Sequence, residues 1–263
     1  MIISQYILKG YTYMKILFFT GTGNSLWVAK KFTGEQLSIS KLEDDNIYEI
    51  ESDTVGIVCP IYAGNIPPIV SKYLGQTTIR ANYVFSIFTC GYGSGAAAYT
   101  MKKTLAKNKT QLNYAATLFM LDNYLPVYTV EDELMKLQQK DVEAHLAQIQ
   151  KDISIKKQEI PQVSLLTRAM TAIFSYILPP SGVEKKFSVS TDCIGCGTCA
   201  SLCPAGNITV TKQPTWNNHC EGCLSCAHNC PKGAIRLKGE KGSARYRHPQ
   251  ITVSELIKAN GTR

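Results

Sequence analysis

The sequence predicts an α/β protein: a doubly wound parallel sheet followed by a small α+β unit built around cysteines. Three observations predict it. An apolar run at residues 15–19 leads straight into a glycine loop, TGTGNS, and then into a helical pattern. Four further short apolar runs follow, at residues 47–50, 54–59, 83–89 and 114–121, with helical patterns or connecting segments between several of them. Eight of the ten cysteines lie between residues 193 and 230.

The first strand is short, apolar and ends at the loop, as a buried strand should. Beyond the loop, Leu26, Val28, Ala29 and Phe32 recur at helical spacing. A strand, a tight glycine loop and a helix start form an anion site, because free amides and the positive end of the helix dipole face the ligand. Three phosphate ligands compete for it. A nucleoside triphosphate loop needs a lysine after its last glycine, and none follows Gly23. A dinucleotide fingerprint needs a glycine where Leu26 stands. A second stretch, GYGSGA at 91–96, fits G-x-G-x-x-A but has no acidic residue about 20 positions on to hold a ribose. The third ligand is flavin mononucleotide (FMN), whose terminal phosphate is a compact dianion that amides and hydroxyls can hold without a lysine. Thr20, Thr22, Asn24 and Ser25 around Gly21 and Gly23 supply those groups.

In a doubly wound sheet the ligand lies beyond the carboxyl ends of the strands, at the switch point. The loops expected there are CPIYAGNIPP (59–68), with Tyr62, Ala63 and Gly64, and CGYGSGAA (90–97), with Cys90, Gly91, Tyr92 and Gly93. Each carries one tyrosine amid small residues. Either tyrosine can stack on the flavin ring or merely cap its loop. Cys59 and Cys90 end strands, where a thiol serves as a small buried hydrophobe; a redox role beside the flavin is the other reading.

Residues 129–158 read as one charged helix capped by Thr129, with Glu131, Asp132 and Glu133 in its first turn. Val130, Leu134, Leu137, Leu146, Ile149 and Ile153 would pack it on the sheet. Residues 164–178 form a more apolar helix stopped by Pro179 and Pro180. It is expected between the two units, or as a partner- or membrane-contact helix. After Lys238 the chain is a basic tail with a weak helical pattern at 253–260.

The cysteines read CIGCGTCASLCP from 193 and CEGCLSCAHNCP from 220, both C-x2-C-x2-C-x3-C-P. Gly195 and Gly222, Ala200 and Ala227, Pro204 and Pro231, Gly206 and Gly233, and Ile208 and Ile235 repeat at the same offset. This is a pseudo-twofold unit. Three closely spaced thiolates reach three corners of one cubane, and the fourth, followed by proline, turns to the other. Cys193, Cys196, Cys199 and Cys230 are thus expected to hold one [4Fe–4S] cluster, and Cys220, Cys223, Cys226 and Cys203 the second. A structural zinc site uses two ligand pairs and has no use for a third cysteine or the repeated proline. Trp216 is expected to shield and pack.

The cysteine stretch resembles the two-cluster bacterial ferredoxins. ILFFTGTGNSLWVA resembles the phosphate loop of flavodoxins, with Ser25 where threonine is commoner. From Met14 to about Lys238 the chain resembles a bacterial and archaeal family of flavodoxin-like domains fused to two-cluster ferredoxins. The resemblance implies a flavodoxin-like sheet of order 2-1-3-4-5 and a bacterial-type ferredoxin domain, and aromatic stacking on the flavin from the two tyrosine loops. The domains expected are 14–160 (FMN-binding), 161–185 (helical linker), 186–238 (ferredoxin) and 239–263 (tail). The function it implies is electron transfer between FMN and two clusters in low-potential anaerobic metabolism, with redox proteins as partners. The alternatives are an FMN-dependent reductase of a quinone or nitro compound, and a ferredoxin with a flavin-free docking domain.

The formal charge of +8 admits nucleic acid or an acidic membrane as partner. Ligating thiolates and a bound phosphate offset that charge, and no nucleic-acid motif is present, so no nucleic-acid partner is expected. The longest apolar stretch, around 169–178, is about half the ~20 residues of a membrane span. The N-terminus lacks the apolar core of a secretion signal, and ten cysteines point to metal in a reducing compartment. The expected location is cytoplasmic. Met14 opens a second plausible start, which would make residues 1–13 an extension.

Overall fold

The computed structural model describes residues 13–261. The extension expected at 1–13 lies, apart from Tyr13, outside the described residues. The chain runs β1 (Met14–Phe18), α1 (Asn24–Ala29), β2 (Glu35–Ser38), α2 (Ile39–Asp44), β3 (Glu49–Glu51), β4 (Thr54–Pro60), α3 (Pro68–Leu74), β5 (Thr78–Arg80), β6 (Tyr83–Cys90), α4 (Ala97–Ala106) and β7 (Tyr114–Phe119). It continues through α5 (Val130–Leu137), α6 (Val142–Ser154) and α7 (Leu165–Ile177) into the cysteine half.

Five strands form one sheet in the order β2-β1-β4-β6-β7, and every neighbouring pair is parallel. β3 and β5 pair only with each other, outside it. The sheet's own strands, counted alone, therefore run second, first, third, fourth, fifth. Its second strand is not the expected one. Residues 47–50 fall at β3, outside the main sheet, and the sheet's edge is Glu35–Ser38, whose outer residues are exposed. An edge strand buries little, so EQLS carries no apolar run to betray it.

Both faces of the sheet are covered, as parallel sheets require. Leu17, Phe19, Val55, Ile57 and Val84 join one core with α3 and α4. Ile16, Phe18, Val58, Phe85 and Ile87 join the other with α1 and α6. The helix expected at 129–158 is two helices. Thr129 caps the first, its hydroxyl accepting from Asp132 N–H at 3.2 Å, and the chain breaks before Asp141, at φ 41°. α6 packs on the sheet through Leu146, Ile149 and Ile153. Val130 of α5 instead joins the core of the cysteine half, and Leu134 is exposed. The helix expected at 164–178 forms as α7, capped by Ser164. No helix among the described residues is long and apolar enough to cross a membrane.

The cysteine half repeats as the sequence does. β8 (Phe187–Val189), α8 (Thr198–Ser201) and β9 (Ile208–Val210) are followed by β10 (Pro214–Trp216), α9 (Ser225–His228) and β11 (Ile235–Leu237). β8 pairs antiparallel with β11, and β10 with β9. Each half thus supplies a strand to the other's hairpin. The first turns match closely: Gly195 has φ 64° and Gly222 φ 65°. Phe187 stacks on Trp216 with ring centroids 5.2 Å apart.

The chain after Lys238 returns to the start of the fold. The helix α10 (Val253–Asn260) lies against α2, and Ile251, Leu256 and Ala259 enter the core beside α1. Thr252 and Glu255 form a reciprocal capping box, and Glu255 pairs with Lys30 of the α1 C-cap. Lys30, then the Thr252 amide and hydroxyl, pull the Glu255 carboxyl from 4.5 to about 2. A carboxyl depressed in the folded state contributes stability above its unfolded value, and that stability is lost as pH falls toward the folded value. Replacing Glu255 with Gln should therefore lower Tm at pH 7 and flatten its fall between pH 4.5 and 2; unchanged acid unfolding would contradict this packing.

Candidate functional site

At the carboxyl ends of the sheet strands lies a cavity of about 830 Å³. Thr20, Gly21, Thr22, Asn24 and Ser25 line it from the first loop, Tyr62, Ala63 and Gly64 from the second, and Cys90, Gly91, Tyr92 and Gly93 from the third. Of the residues expected in an FMN site, Gly23 alone does not line it. Gly23 has φ 102°, and a Cβ there would press on Ile251 and His248 of the returning C-terminal segment.

The glycine loop is held from within. Gly23 N–H donates to the Thr20 hydroxyl at 3.1 Å, and the Ser25 and Thr89 hydroxyls are 2.8 Å apart. Asn24 takes the Tyr246 hydroxyl at 2.7 Å on its oxygen and donates to Leu121 O at 3.4 Å. Its amide is committed to the protein at both ends, which makes Asn24 a brace of the loop. Thr22 accepts from the Asn123 amide on its hydroxyl and from His248 N–H on its carbonyl. Donors without a lysine or arginine in the lining suit a compact anion held by amides and hydroxyls.

The two tyrosines differ. Burial pushes the Tyr62 hydroxyl well up, and the Cys223 and Glu221 charges add to it; its ring is half-buried and packs edge-on to Phe19. Tyr92 stacks on Tyr128 at 5.2 Å, and its hydroxyl meets Glu133 and Lys136. One face of the Tyr92 ring is thus already covered. Burial, and then Asp122, push the Cys90 thiol up to about 12. Cys59 lies wholly buried in the sheet core.

Sequence reasoning missed the part of the wall that lies outside these three loops. The loop after β7 contributes Asp122, Asn123, Tyr124 and Tyr128, and α7 contributes Met170, Thr171 and Phe174. The same strand-end rule that named the second and third loops names the loop after β7. Burial pushes the Asp122 carboxyl up, against a 3.0 Å hydrogen bond from Tyr124 N–H. Nothing in local sequence points α7 at the cavity.

The cysteines of each expected set lie near one another. Cys193, Cys196, Cys199 and Cys230 line one small cavity. Cys203 sits with Cys220, Cys223 and Cys226 closely enough to raise the thiols of all three, after burial, which is the larger cause. Asn207 N–H donates to Cys203 Sγ at 3.2 Å, and Ala234 N–H to Cys230 Sγ at 3.3 Å, at equivalent repeat positions. Among the described residues no three His, Cys, Asp or Glu side chains close around a single ion. The surroundings do suit a larger group with acceptor sulfurs: the buried Ser225 hydroxyl and the Asn207 amide nitrogen have no hydrogen-bond partner among the described residues. Burial holds Cys220 at about 12 and Cys199 at about 11, so a metal's charge is what would make them thiolates.

The two sites touch. Gly222 and Leu224 of the second cysteine repeat line the large cavity. A Cβ on Gly21 would stand 2.7 Å from Cys223 O and 3.1 Å from its Cβ. His228, between Cys226 and Cys230, makes a 2.8 Å hydrogen bond to Asn123 O, and its Nδ1 accepts from Tyr246 N–H at 3.0 Å.

Residues 189–209 match the family described as 4Fe-4S binding domain. The match spans the first cysteine repeat. Comparison with curated proteins gave no match. Among solved structures, a flavoprotein in complex with FMN from Lactobacillus acidophilus is 13% identical over 49% of this chain and 99% of its own, with a TM-score of 0.32. The two-electron reduced flavodoxin of Megasphaera elsdenii is 15% identical over 40% of this chain and 84% of its own, with a TM-score of 0.29.

Cys196 is exposed, and the Thr198 hydroxyl, 3.3 Å away, lowers its thiol. Cys223 and Cys226 are buried and raised. More thiolate at a given pH means faster alkylation. In metal-free chain at neutral pH, iodoacetamide should label Cys196 well before Cys223 or Cys226, as read by peptide mass spectrometry; the reverse order would contradict the arrangement.

Proposed function

We propose that this protein is an electron-transfer iron–sulfur flavoprotein, with FMN in the large cavity and two [4Fe–4S] clusters in the crossed cysteine sets. The observation that carries this is the shared wall: the cavity bounded by the glycine loop is also bounded by Gly222 and Leu224 of the second cysteine repeat. Bound FMN would supply exchange of one or two electrons and each cluster exchange of one, which makes the pair a converter between two- and one-electron chemistry. The chain's part is to hold and insulate. The amides of the glycine loop and the hydroxyls of Thr20, Thr22 and Ser25 would take the phosphate. Tyr62, with one ring edge on Phe19, would border the flavin ring. Tyr92, already stacked on Tyr128, would bound it from the third loop. Ser225, Asn207 and the sulfur-directed amides would donate to cluster sulfurs. The reading assigns no side chain as an acid or base. Low-potential anaerobic metabolism and protein partners on both sides complete it.

A second reading, reduction of a small acceptor such as a quinone or nitro compound, draws on α7. Met170 and Phe174 extend the cavity past the three strand-end loops and would leave apolar space beside a bound flavin. Steady turnover of such an acceptor by loaded protein, without a protein partner, would favour it.

Anaerobically reconstituted protein should bind one FMN and about eight iron atoms, as two cubanes require. A chain that takes up iron but never FMN would reduce it to a ferredoxin with a docking domain, and stoichiometric zinc would remove the clusters. Substituting Cys199 with Ser should halve the iron and keep the flavin. Substituting Gly23 with Leu should weaken FMN binding on the order of tenfold or more while iron stays near eight atoms, because the left-handed turn is strained by a side chain.

A further inference from the structure

The two cysteine repeats are alike in sequence but not in surroundings. Their differences fall at particular positions. Ile194 of the first corresponds to Glu221 of the second, Gly197 to Leu224, and Ser201 to His228. Each of the three second-repeat residues touches the flavodoxin-like half. Glu221 accepts Ile69 N–H of α3 at 3.0 Å. Leu224 lines the large cavity. His228 bonds Asn123 O, in the loop that holds Thr22. Their first-repeat counterparts do none of this: Ile194 is 62% exposed, and Ser201 bonds back to Gly197 O. One cysteine of the first set, Cys199, is as buried as Cys223, but Cys223 packs in the sheet's own core, whereas Cys196, Pro231 and Lys232 around the first set are exposed.

The geometry points to a fixed order of transfer, resting on the function proposed above. The set Cys203, Cys220, Cys223 and Cys226 is the inner station, exchanging electrons with the flavin cavity. The set Cys193, Cys196, Cys199 and Cys230 is the outer station, exchanging them with a one-electron protein partner that docks over Ile194, Cys196 and Pro231. With FMN and both clusters bound, a two-electron oxidation of the reduced flavin would send two electrons singly through the inner and then the outer set to two molecules of the one-electron partner, each reduced by one electron, and the flavin's protons would go to solvent. The breaks in the repeat's symmetry are what orient the relay: Glu221, Leu224 and His228 select which half faces the flavin.

The order is read on protein loaded anaerobically with iron, sulfide and FMN, each assayed on the same sample. In the unaltered protein, a water-soluble gadolinium complex should broaden the EPR signal of one reduced cluster and spare the other. Cys196→Ser, which disables the outer set, should remove the broadened signal and leave flavin fluorescence quenched. Cys220→Ser, which disables the inner set, should remove the spared signal and raise flavin fluorescence several-fold. Two signals broadened alike, or fluorescence released by Cys196→Ser, overturns the order while leaving both cofactors in place. A sample with no FMN or no iron overturns the order together with the reading it rests on. Should Cys220→Ser not fold, the broadening experiment on the unaltered protein decides alone.

Discussion

The structure depends on one close approach. The backbone of the glycine loop at Gly21 meets the backbone of the second cysteine loop at Cys223, with no room between them for even a methyl group. A methyl there would meet a carbonyl oxygen at 2.7 Å, and backbone cannot swing aside as a flexible side chain can. Glycine at 21 is therefore required by the junction of the two halves as much as by the turn it sits in. With that contact set, Tyr62, Gly222 and Leu224 fall on one cavity, and Cys223 becomes part of the sheet's core.

The contact is reinforced from behind. The segment after Lys238 crosses from the cysteine half back to α1. His248 stacks on Trp27 with centroids 4.8 Å apart, and the Trp27 indole donates to Gln250 at 2.8 Å. Tyr246 joins both ends of the path, its hydroxyl on Asn24 and its N–H on His228. Asn260 donates to Leu202 O at 2.9 Å, tying the last helix to the first cysteine repeat. The loop that would receive an anion is thus held by residues more than two hundred positions away, and loop and cysteine unit cannot separate without breaking buried hydrogen bonds, each of which costs the desolvation of the group left behind.

Legibility in the sequence followed burial and repetition. Strands β4 and β6 announce themselves because nearly every side chain is buried, and β1 and β7 because their runs are largely apolar; the edge strand Glu35–Ser38 does not, because Glu35 and Gln36 are exposed. Residues 47–50 misled for the opposite reason, being apolar enough for a strand but paired outside the sheet. The break between α5 and α6 was hidden because Val130 and Leu137 in the one, and Leu146, Ile149 and Ile153 in the other, each keep helical spacing while packing on different cores. The grouping of the cysteines was legible from local spacing. The loop of Asn123 was open to the strand-end rule, but the places of Tyr246 and α7 were not legible, since they come from tertiary contacts that no periodicity records. The repeat's asymmetries at Glu221, Leu224 and His228 stood in plain view, yet only the structure shows what they touch.

The most direct measurement is an anaerobic reductive titration of the loaded protein, counted in electrons and followed by visible and EPR spectra. About four electrons per chain are expected, two for the flavin and one for each cluster. An uptake of about two with only cluster signals would show that no flavin shares the chain with the clusters, and an uptake without cluster signals would show that the cysteines hold something else.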